Sequence, residues 1–124
     1  MTLVLIVDDN EKNRKLARDV LRASGFRTLE AATGADGIAL ADKHVPDVIL
    51  MDIRLSDTDG TEAARKLKDG ARTARIPVLA MSALPLEGGG DWLKAAGFAG
   101  WLAKPIRVRD FPDQVRRHCP EARS

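Results

Sequence analysis

Cysteine is nearly absent, with Cys119 the single one in the chain. That excludes an internal disulfide and any multi-cysteine zinc site. Long apolar runs are missing, and none approaches the ~18 residues of a membrane span. The opening stretch, Met1-Thr2-Leu3-Val4-Leu5-Ile6-Val7-Asp8-Asp9, has no basic segment, and two acids cut its apolar run short. It does not read as a secretory signal. Charge of one sign is scarce: 20 Lys and Arg against 18 Asp and Glu leave a formal net charge of +2. That is too little to argue for nucleic acid or a membrane surface. No repeat of roughly 20–50 residues is visible, and only Gly88-Gly89-Gly90 is low in complexity. These absences leave a cytoplasmic globular protein as the expectation.

What is present fits one domain. The 124 residues are 44% hydrophobic and 31% charged, which is globular composition. Five short apolar runs alternate with helical patterns. The runs lie at Leu3–Val7, Asp47–Met51, Ile76–Met81 and Gly100–Ala103, with a weaker one at Arg27–Ala31. Runs of this length bounded by turn residues read as strands buried on both faces.

Between them, Leu16, Ala17, Val20 and Leu21 mark a first helix, stopped at Ser24-Gly25-Phe26 with Gly25 past its end. Thr33 can cap a second helix with Ala35, Ile38 and Ala41 inward. A third spans about Thr61 to Asp69, with Ala64 and Leu67 inward. A fourth carries Trp92, Leu93 and Ala96 and stops at Gly97. A fifth places Val108, Phe111, Val115 and Cys119 on one stripe. Strict alternation of five strands and five helices predicts an α/β fold, a doubly wound parallel sheet with helices on both faces. In such sheets the functional crevice lies beyond the carboxyl ends of the strands.

The residues at those ends are informative. The first strand runs into Asp8-Asp9, the third into Asp52, the fourth into Ser82 and the fifth into Lys104-Pro105. Each alone has an ordinary reading: a helix start for Asp8-Asp9 with Asp9 or Asn10 as the cap, a cap for Ser82, a turn acid for Asp52, a solvated strand end for Lys104. Together they gather three carboxylates, a hydroxyl and an ammonium. Clustered carboxylates repel unless a cation joins them, and Mg²⁺ suits a site of few oxygen ligands. Lys104 and Ser82 then face an anion beside the metal, with a nucleophilic carboxylate between: a phosphoryl-transfer clamp.

The segments Leu5-Ile6-Val7-Asp8-Asp9-Asn10, Asp47 to Leu55 with Asp59-Gly60, Pro77 to Ala83, Ala96-Gly97-Phe98 and Leu102 to Ile106 together resemble the receiver domain of two-component response regulators. The closest likeness within that family is to single-domain receivers of the cell-division regulator kind. The resemblance covers about residues 3–119 and makes 1–124 a single receiver with the flavodoxin-like strand order 2-1-3-4-5.

It implies that Asp52 is the phosphoacceptor, served by a histidine kinase or a histidine phosphotransfer protein. It implies that Asp8, Asp9, Asp52 and the backbone carbonyl of Arg54 hold Mg²⁺, for which Mn²⁺ can substitute. Ser82 and Lys104 would bind the phosphoryl group, Trp101 would be the aromatic switch residue, and the Lys104–Pro105 bond would be cis. The output would be a downstream protein docking on the face of the fourth helix, fifth strand and fifth helix. No nucleic-acid or membrane partner is expected, and no enzymatic activity beyond Mg²⁺-dependent self-phosphorylation and self-dephosphorylation.

The chain departs from the family's pattern at Ser56, where proline is usual, and at Leu84 to Gly90, which delays the predicted fourth helix to about Asp91. Pro112 is tolerated only in a first turn. His44 and His118 lack a partner at metal spacing and read as surface residues. Trp92 reads equally as packing or as an interface residue. Arg107, Arg109, Arg116 and Arg117 make the fifth helix basic, which reads first as a solvated face and second as a surface for an acidic partner.

Three other functions compete. A Mg²⁺-dependent aspartyl-phosphate phosphatase usually places its nucleophile on the first strand as Asp-x-Asp, which Asp8-Asp9-Asn10 does not match, and it needs a cap. A flavin or nucleotide binder needs a Gly- or hydroxyl-rich loop after the first strand, where Asp8-Asp9-Asn10-Glu11 repels phosphate. A receiver-like scaffold that never binds phosphate has no use for Asp9, Asp52, Ser82 and Lys104 together.

Overall fold

The computed structural model describes residues 2–55, 57–82, 94–103 and 107–118. Five strands, β1 (Leu3–Val7), β2 (Arg27–Ala31), β3 (Val48–Asp52), β4 (Val78–Ser82) and β5 (Gly100–Ala103), form one sheet in the order β2-β1-β3-β4-β5. Every pairing is parallel. The described helices are α1 (Glu11–Ala23), α2 (Gly34–His44), α3 (Gly60–Asp69) and α4 (Phe111–Arg117), the last being the fifth that the sequence predicts. The predicted fourth helix falls mostly outside the described residues, within which only Lys94 and Ala95 are helical.

The sheet divides the core in two. Val4 and Ile6 of β1, Val48 and Leu50 of β3, and Leu79 and Met81 of β4 meet Ala17, Leu21, Phe26, Phe111 and Val115 on one face. Leu5, Val7, Ile49, Met51, Val78 and Ala80 meet Ala41, Ala63, Ala64 and Leu67 on the other. Alternate side chains of a strand point to opposite faces. A strand covered on both sides is therefore apolar throughout, and all five residues of β3 are buried.

Local signals set the helix ends. The Asn10 side chain accepts from the Asn13 N–H at 3.0 Å and caps α1. At the other end the Phe26 N–H reaches the Leu21 carbonyl (3.0 Å) and the Gly25 N–H the Arg22 carbonyl (3.1 Å). This double bond pattern requires a left-handed residue, and Gly25 supplies it at φ +92°. Thr33 caps α2 through the Asp36 N–H, and Asp59 caps α3 through the Thr61 N–H. Pro112 sits in the first turn of α4.

Several boundaries and faces differ from expectation. β3 starts at Val48 rather than Asp47, because the Asp47 carboxylate accepts from the Leu3 N–H at 2.8 Å and ends the strand edge. β4 starts at Val78, since Ile76 closes the turn after α3 by donating to the Thr73 carbonyl. In α2 the inward residues are Gly34, Gly37 and Ala41, with Ala35 exposed and Ile38 half-buried. Leu16 of α1 is exposed, and Val108 lies before α4 and is exposed. Cys119 falls outside the described residues. His44 is exposed as expected, but His118 is half-buried. Burial, with Arg117 nearby, holds the His118 imidazole pKa below its ordinary value.

The glycine at 37 exists to let α2 approach β1: a Cβ there would stand 2.7 Å from Val7 Cγ2. Gly37→Ala therefore lowers stability by about 1–3 kcal/mol, overriding the ~1 kcal/mol that alanine gains in helix propensity. Adding Val7→Ala to it recovers part of the urea midpoint that Gly37→Ala loses.

Candidate functional site

The site follows from the strand pairing. β1 and β3 run side by side with Val7 opposite Met51, so the next residues, Asp8 just past β1 and Asp52 at the end of β3, stand at the same edge of the sheet. From there the chain turns to opposite faces, into α1 after β1 and towards α3 after β3. This divergence opens the crevice expected of a doubly wound sheet.

Asp8, Asp9 and Asp52 each place a carboxylate oxygen within 4.8 Å of the others. Asp8 is 1% exposed and Asp52 9%, while Asp9 is open to solvent. Asp8 Oδ1 accepts from the Asn10 N–H at 2.9 Å, and its backbone carbonyl accepts from Arg14 Nη1 at 2.9 Å. Asp52 Oδ1 accepts from the Arg54 N–H at 3.1 Å. Octahedral Mg²⁺ with oxygens at about 2.1 Å sets neighbouring ligands roughly 3 Å apart and opposite ones roughly 4.2 Å apart. Carboxylate oxygens within 4.8 Å of one another can draw in to that spacing around an ion, and an all-oxygen donor set suits a hard divalent ion.

The stretch after β3 is anchored at its base. The Ile53 N–H donates to the Met81 carbonyl (3.2 Å), and the Gly60 N–H donates to the Ile53 carbonyl (2.7 Å) as part of an isolated antiparallel backbone bridge between Arg54 and Asp59. Gly60 has no alternative: a Cβ would collide with the Asp52 carbonyl oxygen and lie 2.8 Å from Ile53 Cα. Beside the site, Arg14 and Arg18 both reach the Glu30 carboxylate, at 3.4 and 3.2 Å.

The structure thus brings Asp8, Asp9 and Asp52 together, with Arg54 two residues beyond. Ser82 ends β4 opposite Ala103, at the same edge of the sheet. Lys104 and Pro105 follow β5 directly but fall outside the described residues, as does Ser56. Trp101 lies in β5 opposite Ala80 and is 44% exposed. Sequence reasoning missed Arg14, one helical turn past the acid pair, and Asp57, whose carboxylate binds backbone more than 20 residues away. Neither residue stands out by hydropathy or by its neighbours.

The family model of the response regulator receiver domain matches residues 4–116. The polar-differentiation response regulator DivK of Brucella ovis is 38% identical over 119 residues, covering 96% of this chain and 97% of that protein. Among solved structures, the chemotaxis protein CheY4 of Vibrio cholerae is similar at a TM-score of 0.89 and 27% identity, over 95% of this chain and 98% of that one. The receiver domain of the sensor histidine kinase PA1611 of Pseudomonas aeruginosa has a TM-score of 0.85 and 31% identity, over 94% of this chain and 96% of that one. That structure holds a magnesium ion in its active-site cleft.

Mutual repulsion of three carboxylates is a stability term of its own. Without divalent cations, Asp9→Asn raises the melting temperature by about 2 °C, a small effect because Asp9 is solvated. Added salt shrinks the difference by screening. Differential scanning calorimetry in chelator at low and high salt measures both.

Proposed function

Because the chain belongs to the response regulator receiver family of two-component signalling, we propose that it is a phosphorylation-operated switch with Asp52 as phosphoacceptor. The observation that carries this reading is the convergence of Asp8, Asp9 and Asp52 at the carboxyl ends of adjacent strands. The donor is a phosphohistidine on a histidine kinase or a histidine phosphotransfer protein. An Asp52 carboxylate oxygen attacks phosphorus, an O–P bond forms, and the P–N bond to the donor imidazole breaks. The imidazole keeps the bonding pair and takes a proton from solvent.

The residues present fit Mg²⁺ held by Asp8, Asp9, Asp52 and the Arg54 carbonyl. When bound, the ion supplies charge neutralisation for carboxylates and phosphoryl oxygens. The Arg54 N–H orients the Asp52 carboxylate at 3.1 Å. The Asn10 N–H and Arg14 hold Asp8 in place from two sides. Ser82 and Lys104 are assigned to the phosphoryl group, Lys104 as a charge-assisted partner. The receiver core spans about residues 3–119 of a single domain. Its output is protein docking on the face of the predicted fourth helix, β5 and α4.

Incubation with Mg²⁺ and acetyl phosphate adds one alkali-labile phosphoryl group by intact mass, and Asp52→Asn adds none. Full labelling of Asp52→Asn overturns the assignment. Mg²⁺ alone raises stability by roughly 1–3 kcal/mol at saturation, and Asp9→Asn abolishes that response.

Trp101, in β5 and partly exposed, is proposed to report the switch by moving inward on phosphorylation. In Trp92→Phe, where Trp101 is the sole indole, Mg²⁺ with beryllofluoride shifts emission to the blue and lowers iodide quenching. Trp101→Phe shows a much smaller change. Equal responses from both variants, with beryllofluoride bound, exclude Trp101 as the moving part.

A further inference from the structure

The loop between β3 and α3 is held at its tip as well as its base, and the tip is held by a different helix. Asp57 Oδ1 accepts from the Gly34 N–H at 2.8 Å and Oδ2 from the Ala35 N–H at 3.0 Å. Both oxygens are therefore committed to the first turn of α2. N–H groups there have no partner within the helix, and the helix dipole favours an anion. Those two bonds hold the Asp57 carboxyl below the usual carboxylate range. The helix does not depend on Asp57 for a cap, since Thr33 already accepts from the Asp36 N–H.

Gly34 makes the contact possible. A Cβ there would collide with Thr58 Cγ2 and lie 3.4 Å from Leu55 Cδ1. The loop tip thus packs its side chains against the helix end, where a larger residue would have to push Thr58 aside. The same loop carries Arg54, two residues past Asp52. Its base is pinned by an isolated antiparallel backbone bridge between Arg54 and Asp59, which includes the Gly60-to-Ile53 hydrogen bond.

We propose that Asp57 is a positioning residue for the cation site: by clasping the start of α2 it fixes the loop that presents the Arg54 backbone beside Asp52. The inference rests on the reading of that site as a Mg²⁺ site. Asp57 touches neither ion nor phosphate; it acts through the loop. A loop already ordered loses less conformational entropy when the ion arrives, so the ion binds more tightly. The coupling is reciprocal, so bound Mg²⁺ also tightens the clasp and slows exchange of the Gly34 and Ala35 amides.

Calorimetric titration of the full chain with Mg²⁺ separates a positioning role from a merely structural one. Asp57→Ala weakens Mg²⁺ binding about tenfold. Asp57→Asn keeps one acceptor oxygen and falls between Asp57→Ala and wild type. Thr33→Ala strips the same helix end of its own cap without touching the loop. It lowers the melting temperature and leaves the Mg²⁺ affinity unchanged. In hydrogen exchange, Mg²⁺ slows the Gly34 and Ala35 amides of wild type but not of Asp57→Ala.

Wild-type affinity in both Asp57 variants overturns the clasp. So does a loss in Thr33→Ala as large as that in Asp57→Ala, which would make the effect one of helix stability. A wild-type protein that takes up no Mg²⁺ overturns the cation site itself, a result distinct from the other two.

Discussion

The parallel pairing of β1 with β3 is the constraint on which the rest of the molecule depends. Its register, Val4 to Val48 through Val7 to Met51, delivers Asp8 and Asp52 to one edge of the sheet. The residues that enforce it are buried on both faces, so a one-residue slip would turn every side chain of the strand to the wrong layer. Apolar burial thereby holds three carboxylates closer than they would settle by themselves. The repulsion is a local loss that the central strands can sustain, because Val4–Val7 and Val48–Met51 are wholly removed from water. A cation entering there meets charges already gathered.

Small residues decide how near the helices come. Gly37 admits Val7, Gly34 admits Leu55 and Thr58, and Gly60 lets the chain double back against the Asp52 carbonyl. Each is a place where a methyl group would push backbone or a packed side chain away. Two of the three border the acid cluster or the loop beside it. Gly70 against Thr73 and Gly100 against His118 are as close and lie away from the cluster, so close approach is spread over the fold.

In the proposed switch, the strand order is what would let an acid cluster on one edge reach a distant surface. Asp52 ends β3, Ser82 ends β4 and Trp101 lies in β5, so the strands carry the site sideways across the sheet one neighbour at a time. Trp101 at the sheet's margin is partly exposed. In the proposed switch, that exposure is the space from which Trp101 would move to a second packing.

Much of this was legible in the sequence. The five apolar runs, the caps at Asn10 and Thr33, the stop at Gly25 and the acids at the ends of the first and third runs are local features. Local chemistry determines them: period, turn propensity and capping read within a few residues. The strand order and the meeting of Asp8 with Asp52 followed from the alternation rule and the family likeness. Tertiary structure alone decided the rest. Asp47 is lost to β3 because its carboxylate meets Leu3, and Gly37 rather than Ala35 faces inward because Val7 stands against it. Val108 is apolar yet exposed, since α4 begins after it. Asp57 reaches Gly34 and Ala35 across 23 and 22 residues of sequence. These are contacts between segments far apart in the chain, and no window along the sequence contains both partners.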